Sequence, residues 1–229
     1  MSVFSRVTGE ATDKKGMPNP HALILHSGGL RSLVATALLV ENDEKTRLSL
    51  LSINDGRDNV HHRQDYTHRQ AEHFAITRVV QIDLPHLYGH GHGKGPDGEP
   101  MGALVTPQML LVALGSARFQ QASQVVWPTS FDANVQSMAR ATEQTMLADQ
   151  SGDYDLGDSP RIDTPLLELS DRQVVELGEE LKVPWHLSWS CIGMADIPCR
   201  ACPGCRRRKS AFNKAGIADP VENTATAGV

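Results

Sequence analysis

Cysteine is scarce in this chain. It has only four, and none lies outside one stretch of fifteen residues near the carboxyl end. Nothing at the start of the chain has the form of a signal peptide, so an oxidising compartment for disulfides is not indicated, and a cytoplasmic location is the default expectation. No apolar run approaches the length needed to cross a bilayer. Positive charge is in deficit, with 22 Lys and Arg against 27 Asp and Glu, a net charge of -5. That balance argues against broad nucleic-acid binding. Aromatic residues are few at 5%, and none is interleaved among Arg200, Arg206, Arg207, Arg208 and Lys209. A basic cluster without stacking partners is read as a solvated helix end and not as a nucleic-acid surface.

What is present suits one substantial α/β domain with at most a small appendage. The chain has 229 residues, 40% hydrophobic and 21% charged. His21-Ala-Leu-Ile-Leu-His26 is a short apolar run of the kind found in a buried parallel strand. It stops at Ser27-Gly28-Gly29 and restarts as a helical pattern from Leu30 to Leu39. Strand, glycine turn and helix together aim main-chain N–H groups at phosphate. Further strands are expected at 47–53, 77–83 and 124–127, with an extended piece at 161–165. Helices are expected at 60–75, 107–122, 134–149 and 170–181, the last opened by the capping box Ser170-Asp-Arg-Gln173. A final helix is expected from Arg206 to Ala215. An acidic loop containing Gly152 and Gly157 is expected at 150–160 and a long glycine-rich loop over 86–102, whose His90 and His92 are read as solvated and not as metal ligands. Alternation at this rhythm predicts a parallel sheet covered on both faces, with ligands at the carboxyl ends of its strands.

The four cysteines, Cys191, Cys199, Cys202 and Cys205, are spaced C-x7-C-x2-C-x2-C, with Pro198, Pro203 and Gly204 supplying tight turns. Four thiolates fill the tetrahedral shell of a structural Zn²⁺ and leave no position for a reacting water.

The chain from about residue 21 to 213 resembles the 7-cyano-7-deazaguanine synthase family of queuosine biosynthesis, within the PP-loop ATP pyrophosphatases. The resemblance rests on the cysteine spacing and the basic helix up to Phe212, on Ile162-Asp-Thr-Pro-Leu166, and on Ser27-Gly28-Gly29-Leu30-Arg31-Ser32. The last matches the family's S-G-G-x-D-S except that Arg31 stands where the family has aspartate. Leu104-Val105-Thr106 replaces a G-R-N segment, Trp127-Pro128-Thr129 stands where a glycine follows the fourth strand, and a G-Y-P-D-C-R stretch has no counterpart after Asp132.

The resemblance implies a Rossmann-like fold of the adenine nucleotide alpha hydrolase/PP-loop type, a parallel sheet flanked by helices with a carboxyl-terminal four-cysteine zinc segment. The implied parts are a flexible segment over 1–20, a PP-loop domain over 21–185, a zinc segment with the last helix over 186–216, and a flexible tail over 217–229. It implies a homodimeric ATP-dependent carbon–nitrogen ligase that adenylates 7-carboxy-7-deazaguanine and converts it with ammonia to the nitrile. ATP would be held by His26, Ser27, Gly28, Gly29, Leu30, Arg31, Ser32 and Leu33, with Mg²⁺ left open. Asp132 would meet the small carboxylate substrate. Arg31 leaves two alternatives standing: a guanidinium that binds pyrophosphate directly, or a loop that has lost its task. A ligase for another carboxylate and a non-catalytic zinc- and nucleotide-binding homologue therefore stay open.

Overall fold

The run from His21 to His26 is buried at every position, as a strand covered on both faces must be. In the computed structural model, which describes residues 20–43, 45–88 and 104–223, it is β1 (His21–His26), the central strand of five. The others are β2 (Arg47–Asn54), β3 (Val79–Asp83), β4 (Gln124–Val126) and β5 (Arg161–Asp163), in the spatial order β3-β2-β1-β4-β5. Every pairing is parallel. The order reverses between β1 and β4, and a sheet of this kind opens a crevice where its order reverses. The glycine corner that follows β1 therefore falls at the mouth of that crevice.

Alternation along the strands divides the core in two. Leu23, Leu25, Leu51, Ile53 and Val125 face α3 (Val105–Phe119) and α4 (Val135–Leu156), meeting Leu110, Leu114 and Ala148. Ala22, Ile24, Leu50 and Val126 face the other way, where Ala71 of α2 (Val60–His73) joins them. On that side α1 (Leu30–Asn42), α5 (Asp171–Glu180) and α6 (Pro203–Ala215) share a cluster containing Leu33, Val34, Val174, Leu177, Trp185 and Phe212. Each leucine sealed this way contributes roughly 1.5–3 kcal/mol relative to exposure.

The expected elements are present, with three instructive differences. The stretch 150–160, expected as a loop, continues α4 as far as Leu156. Gly152, which suggested a break, is buried within the helix, where a Cβ would lie 2.4 Å from Ser159 Oγ; the glycine permits close packing. The helix ends instead at Gly157, with φ +73. Next, α6 begins at Pro203 and not at Arg206, because Cys202 is its N-cap, with Sγ accepting from the Cys205 N–H, and Pro203 supplies a pre-set first turn. Finally, residues expected as the start of a loose tail include α7 (Pro220–Asn223) and the buried Asp219. The expected flexible lead-in up to residue 19, His90, His92 and most of the expected 86–102 loop, and residues 224–229 lie outside the described residues. The capping box of α5 is complete: Ser170 accepts from the Gln173 N–H while the Gln173 side chain accepts from the Ser170 N–H.

Candidate active site

The corner after β1 is built from inside. His26 is buried, and its Nδ1 accepts from the Gly28 N–H at 3.2 Å. Thr67 Oγ1 stands 3.0 Å from the same Nδ1, so the ring is held from two sides. Gly28 turns the chain at φ +66, and its carbonyl accepts from the Trp189 N–H at 2.9 Å and from Gln70 at 3.1 Å. The Ser27 N–H donates to Ser32 Oγ at 3.0 Å, so the two serines close the corner on themselves. Gly29 is the N-cap of α1, and with no side chain it leaves the first N–H groups of the helix uncapped.

Burial holds the His26 pKa down to about 3. A histidine free in the unfolded chain titrates near 6.5. The unfolded state therefore binds a proton that the folded state refuses, and stability is lost as pH falls below about 6.5 toward the folded value. Going from pH 7 to pH 5 should cost about 2 kcal/mol through this residue alone. Urea unfolding at the two pH values checks it: the wild-type difference should shrink in His26→Asn.

The corner opens on a cleft of about 280 Å³ lined by Ser27, Gly29, Leu30 and Arg31 on one side. Facing them are Arg57, Asn59 and Arg63 from the segment after β2, and Trp189, Arg207 and Arg208 from the carboxyl-terminal part. Among the described residues, five arginines and a single aspartate, Asp171, border this space, which suits a polyanion. Their charges are held in place by buried carboxylates. Asp55, fully buried, takes Arg63 at 2.7 Å and Arg57 at 2.9 Å. Burial pushes the Asp55 carboxyl up, but the two arginines outweigh it and hold it below the usual carboxylate range. Asp171 is balanced in the same way by Arg207 and Arg31. Arg208 is 8% exposed and gives its guanidinium to Asp219, to Ser188 and to the Trp185 carbonyl. The basic run 206–209 is therefore not one outward surface, because Arg208 points in and Arg207 is bound to Asp171.

Of the residues expected to hold ATP, Ser27, Gly29, Leu30 and Arg31 border the cleft. His26, Gly28, Ser32 and Leu33 are buried behind it, the first three shaping the corner and Leu33 filling the core. Asp132 does not line the cleft. Its Oδ1 accepts from the Asp171 N–H at 3.0 Å and its Oδ2 lies 3.3 Å from Lys214 Nζ, so it caps α5. Sequence reasoning missed Arg57, Asn59, Arg63 and Trp189. The first three were findable: they follow the carboxyl end of β2, beside β1, where the same crevice rule applies.

The four cysteines converge. Their Sγ atoms all lie within 4.8 Å of one another, and all four thiols are free. Four ligands about 2.3 Å from one ion stand at comparable separations. Main-chain N–H groups of Gly193 and Cys199 point at Cys191 Sγ, that of Cys202 at Cys199 Sγ and that of Cys205 at Cys202 Sγ, at 3.3–3.4 Å. Such donors favour thiolates: those of Ala201 and Cys202 bring the Cys199 pKa down to about 6, whereas burial pushes the Cys191 and Cys205 thiols up. The residues fit a metal ion. A second grouping among the described residues, His61, His62 and Asp196, does not fit one as well, because His62 Nε2 lies 3.2 Å from the Met194 carbonyl and must carry a proton to bond it. Asn59 Nδ2 donates to the Cys191 carbonyl at 2.8 Å, tying the cleft wall to the cysteine segment.

Comparison with known proteins agrees with this arrangement. A family model described as queuosine biosynthesis protein QueC matches residues 118–216. The structure of the U34-tRNA thiolase NcsA from Methanococcus maripaludis, with its 4Fe-4S cluster, superposes with a TM-score of 0.55 at 15% identity, covering 92% of this chain and 74% of that one; this shows the fold alone. The 7-cyano-7-deazaguanine synthase of Chlorobium phaeobacteroides is 29% identical over 88% of this chain and 96% of its own length. That of Chlorobaculum parvum is 30% identical over 88% of this chain and 95% of its own. With 30% identity to a relative matched over 95% of its length, and with the family model covering the carboxyl-terminal half, the chain belongs to the 7-cyano-7-deazaguanine synthase family of PP-loop ATP-dependent enzymes.

Proposed function

We propose that this chain makes the nitrile its family is named for, using ATP to activate 7-carboxy-7-deazaguanine. In this reading a substrate carboxylate oxygen attacks the α-phosphorus of ATP, the bond to pyrophosphate breaks, and an acyl-adenylate forms. Ammonia adds at the acyl carbon and AMP leaves, giving the amide. The amide oxygen then attacks the α-phosphorus of a second ATP, pyrophosphate leaves, and the O-adenylated imidate loses AMP and its nitrogen-bound protons to give the nitrile. The observation that carries the reading is the convergence of an uncapped helix start and five arginines on one cleft at the sheet's reversal point. Developing negative charge on the phosphates and on the acyl oxygen is what fixed guanidinium and N–H donors stabilise best.

Ser27, Gly29 and Leu30 are assigned to the β- and γ-phosphates, backed from behind by Gly28 and by the Ser32 hydroxyl. The cysteine site is assigned to one structural Zn²⁺. The sulfurs are close enough for a single ion, whereas a cubane cluster spreads its thiolates over separate iron atoms. Filled by four thiolates, the zinc would fix the chain and take no part in the reaction. Mg²⁺ accompanying ATP and assembly as a homodimer belong to the same proposal.

Purified protein given ATP, ammonia and 7-carboxy-7-deazaguanine is expected to release pyrophosphate and form the nitrile, detected by mass. Pyrophosphate release with a different carboxylate only would move the assignment to another ligase. Absence of both release and ATP binding would leave a non-catalytic homologue.

A further inference from the structure

Arg31, the residue that departs from the family's loop, is engaged on both sides of its guanidinium. Its Nε donates to Ser130 Oγ at 2.7 Å, and an Nη donates to Asp171 Oδ1 at 3.1 Å. Asp171 opens α5 and its side chain is only 11% exposed. The same carboxylate takes Arg207 of α6 on both oxygens, with Nη2 to Oδ1 at 2.8 Å, and Arg207 also donates to the Ser130 carbonyl at 3.1 Å. One carboxylate and one buried serine thus join the phosphate corner, the segment after β4, the start of α5 and the metal-bearing segment.

We propose that Arg31 and Asp171 are a transposed ion pair. The carboxylate that the loop lacks borders the cleft from α5 instead, and Arg31 is a positioning residue that fastens the corner to it. Arg31 is then neither a mark of decay nor a phosphate ligand in its own right. The charge arithmetic supports this. Two guanidinium groups share one carboxylate, leaving the cluster a single positive charge toward the cleft. Aspartate at position 31 would set two carboxylates against Arg207 alone, so restoring the family's residue by itself should do harm. Exchanging both partners returns two guanidinium groups and one carboxylate, at a small cost for a cation at the start of α5. The inference rests on the ATP-handling reading for its kinetic arm only.

The test is a double-mutant cycle of wild type, Arg31→Asp, Asp171→Arg and the exchanged pair, read by thermal midpoint and by pyrophosphate release with kcat and the KM for ATP separated. Each single variant is expected to lose about tenfold or more in kcat with a smaller change in KM, as misplacement of a reacting group does. The exchanged pair is expected to recover most of that loss, and its midpoint to exceed the sum of the single effects. Arg31→Asp as active as wild type, or an exchanged pair no better than the worse single variant in both readouts, overturns the proposal. Should a single variant fail to fold, Arg31→Lys against Arg31→Gln decides: lysine retains activity and glutamine loses it, and equal activity of Gln and wild type sinks the idea. If wild type itself releases no pyrophosphate, the nitrile-forming reading fails, while coupling in the thermal midpoints still decides whether the pair exists.

Discussion

Cys202→Ala is expected to abolish metal binding at the four sulfurs and, with it, the order of the segment from 190 to 205. Two losses fall on one atom. Cys202 Sγ is one of the four converging sulfurs, and it also caps α6 by accepting from the Cys205 N–H. A structural four-thiolate zinc site contributes on the order of 10–16 kcal/mol in small peptides, as much as a whole domain's usual stability. Loss of a cap adds about 1 kcal/mol. The loop from 192 to 202 has little core to fall back on, since Ile192, Met194 and Ile197 are all exposed. Metal content should fall from one ion per chain to none, and cleavage by a protease should appear between 190 and 205. The thermal midpoint should drop by more than any single core truncation produces. Chelation of wild type should reproduce each change. An unchanged midpoint with the metal gone would mean that the fold holds this segment without help.

Gly28→Ala should abolish turnover. At φ +66 a side chain is strained by about 1–2 kcal/mol. Space is also lacking: the new Cβ would lie 2.4 Å from the Arg63 carbonyl oxygen and 3.0 Å from Tyr66 Cβ. The first obstacle is main chain within α2, so relief requires the corner or the helix to move. Movement of the corner breaks the hydrogen bonds to His26, Gln70 and Trp189 together. A displacement near 1 Å in an active-site cleft costs about a hundredfold in rate, and pyrophosphate release should fall by at least that. Gly115→Ala is the control. Nothing lies within 4 Å of a Cβ there, and alanine in a helix gains roughly 0.5–1 kcal/mol over glycine, so activity should hold and the midpoint rise slightly.

What the chain displays locally was legible in the sequence. β1 and its glycine corner showed as an apolar run stopped by Ser27-Gly28-Gly29, the capping box as four residues in order, and the convergence of the four sulfurs as cysteine spacing. Each is a short-range pattern whose cause lies within a few residues. What escaped notice depends on distant partners. Gly152 reads as a helix breaker until Ser159 is seen packed against it. Cys202 reads as a ligand and not as a helix cap, although the first role does not preclude the second. Arg57 and Arg63 carry no motif, and become cleft residues only because a buried aspartate at position 55 aims them there. Asp132 looked like a substrate contact by resemblance, yet its carboxylate is committed to the start of α5. Contacts between residues far apart in sequence, packing and electrostatic alike, separated expectation from fold.

The two walls of the cleft come from opposite ends of the polypeptide. Asn59 reaches Cys191 across 132 residues and Arg31 reaches Asp171 across 140. A ribosome that has released only the first 180 residues has supplied every strand of the sheet, but no Trp189, no cysteine and no Arg207. The wall that carries Trp189 and Arg207 is therefore supplied after the whole of the described sheet, and it docks onto a scaffold already in place.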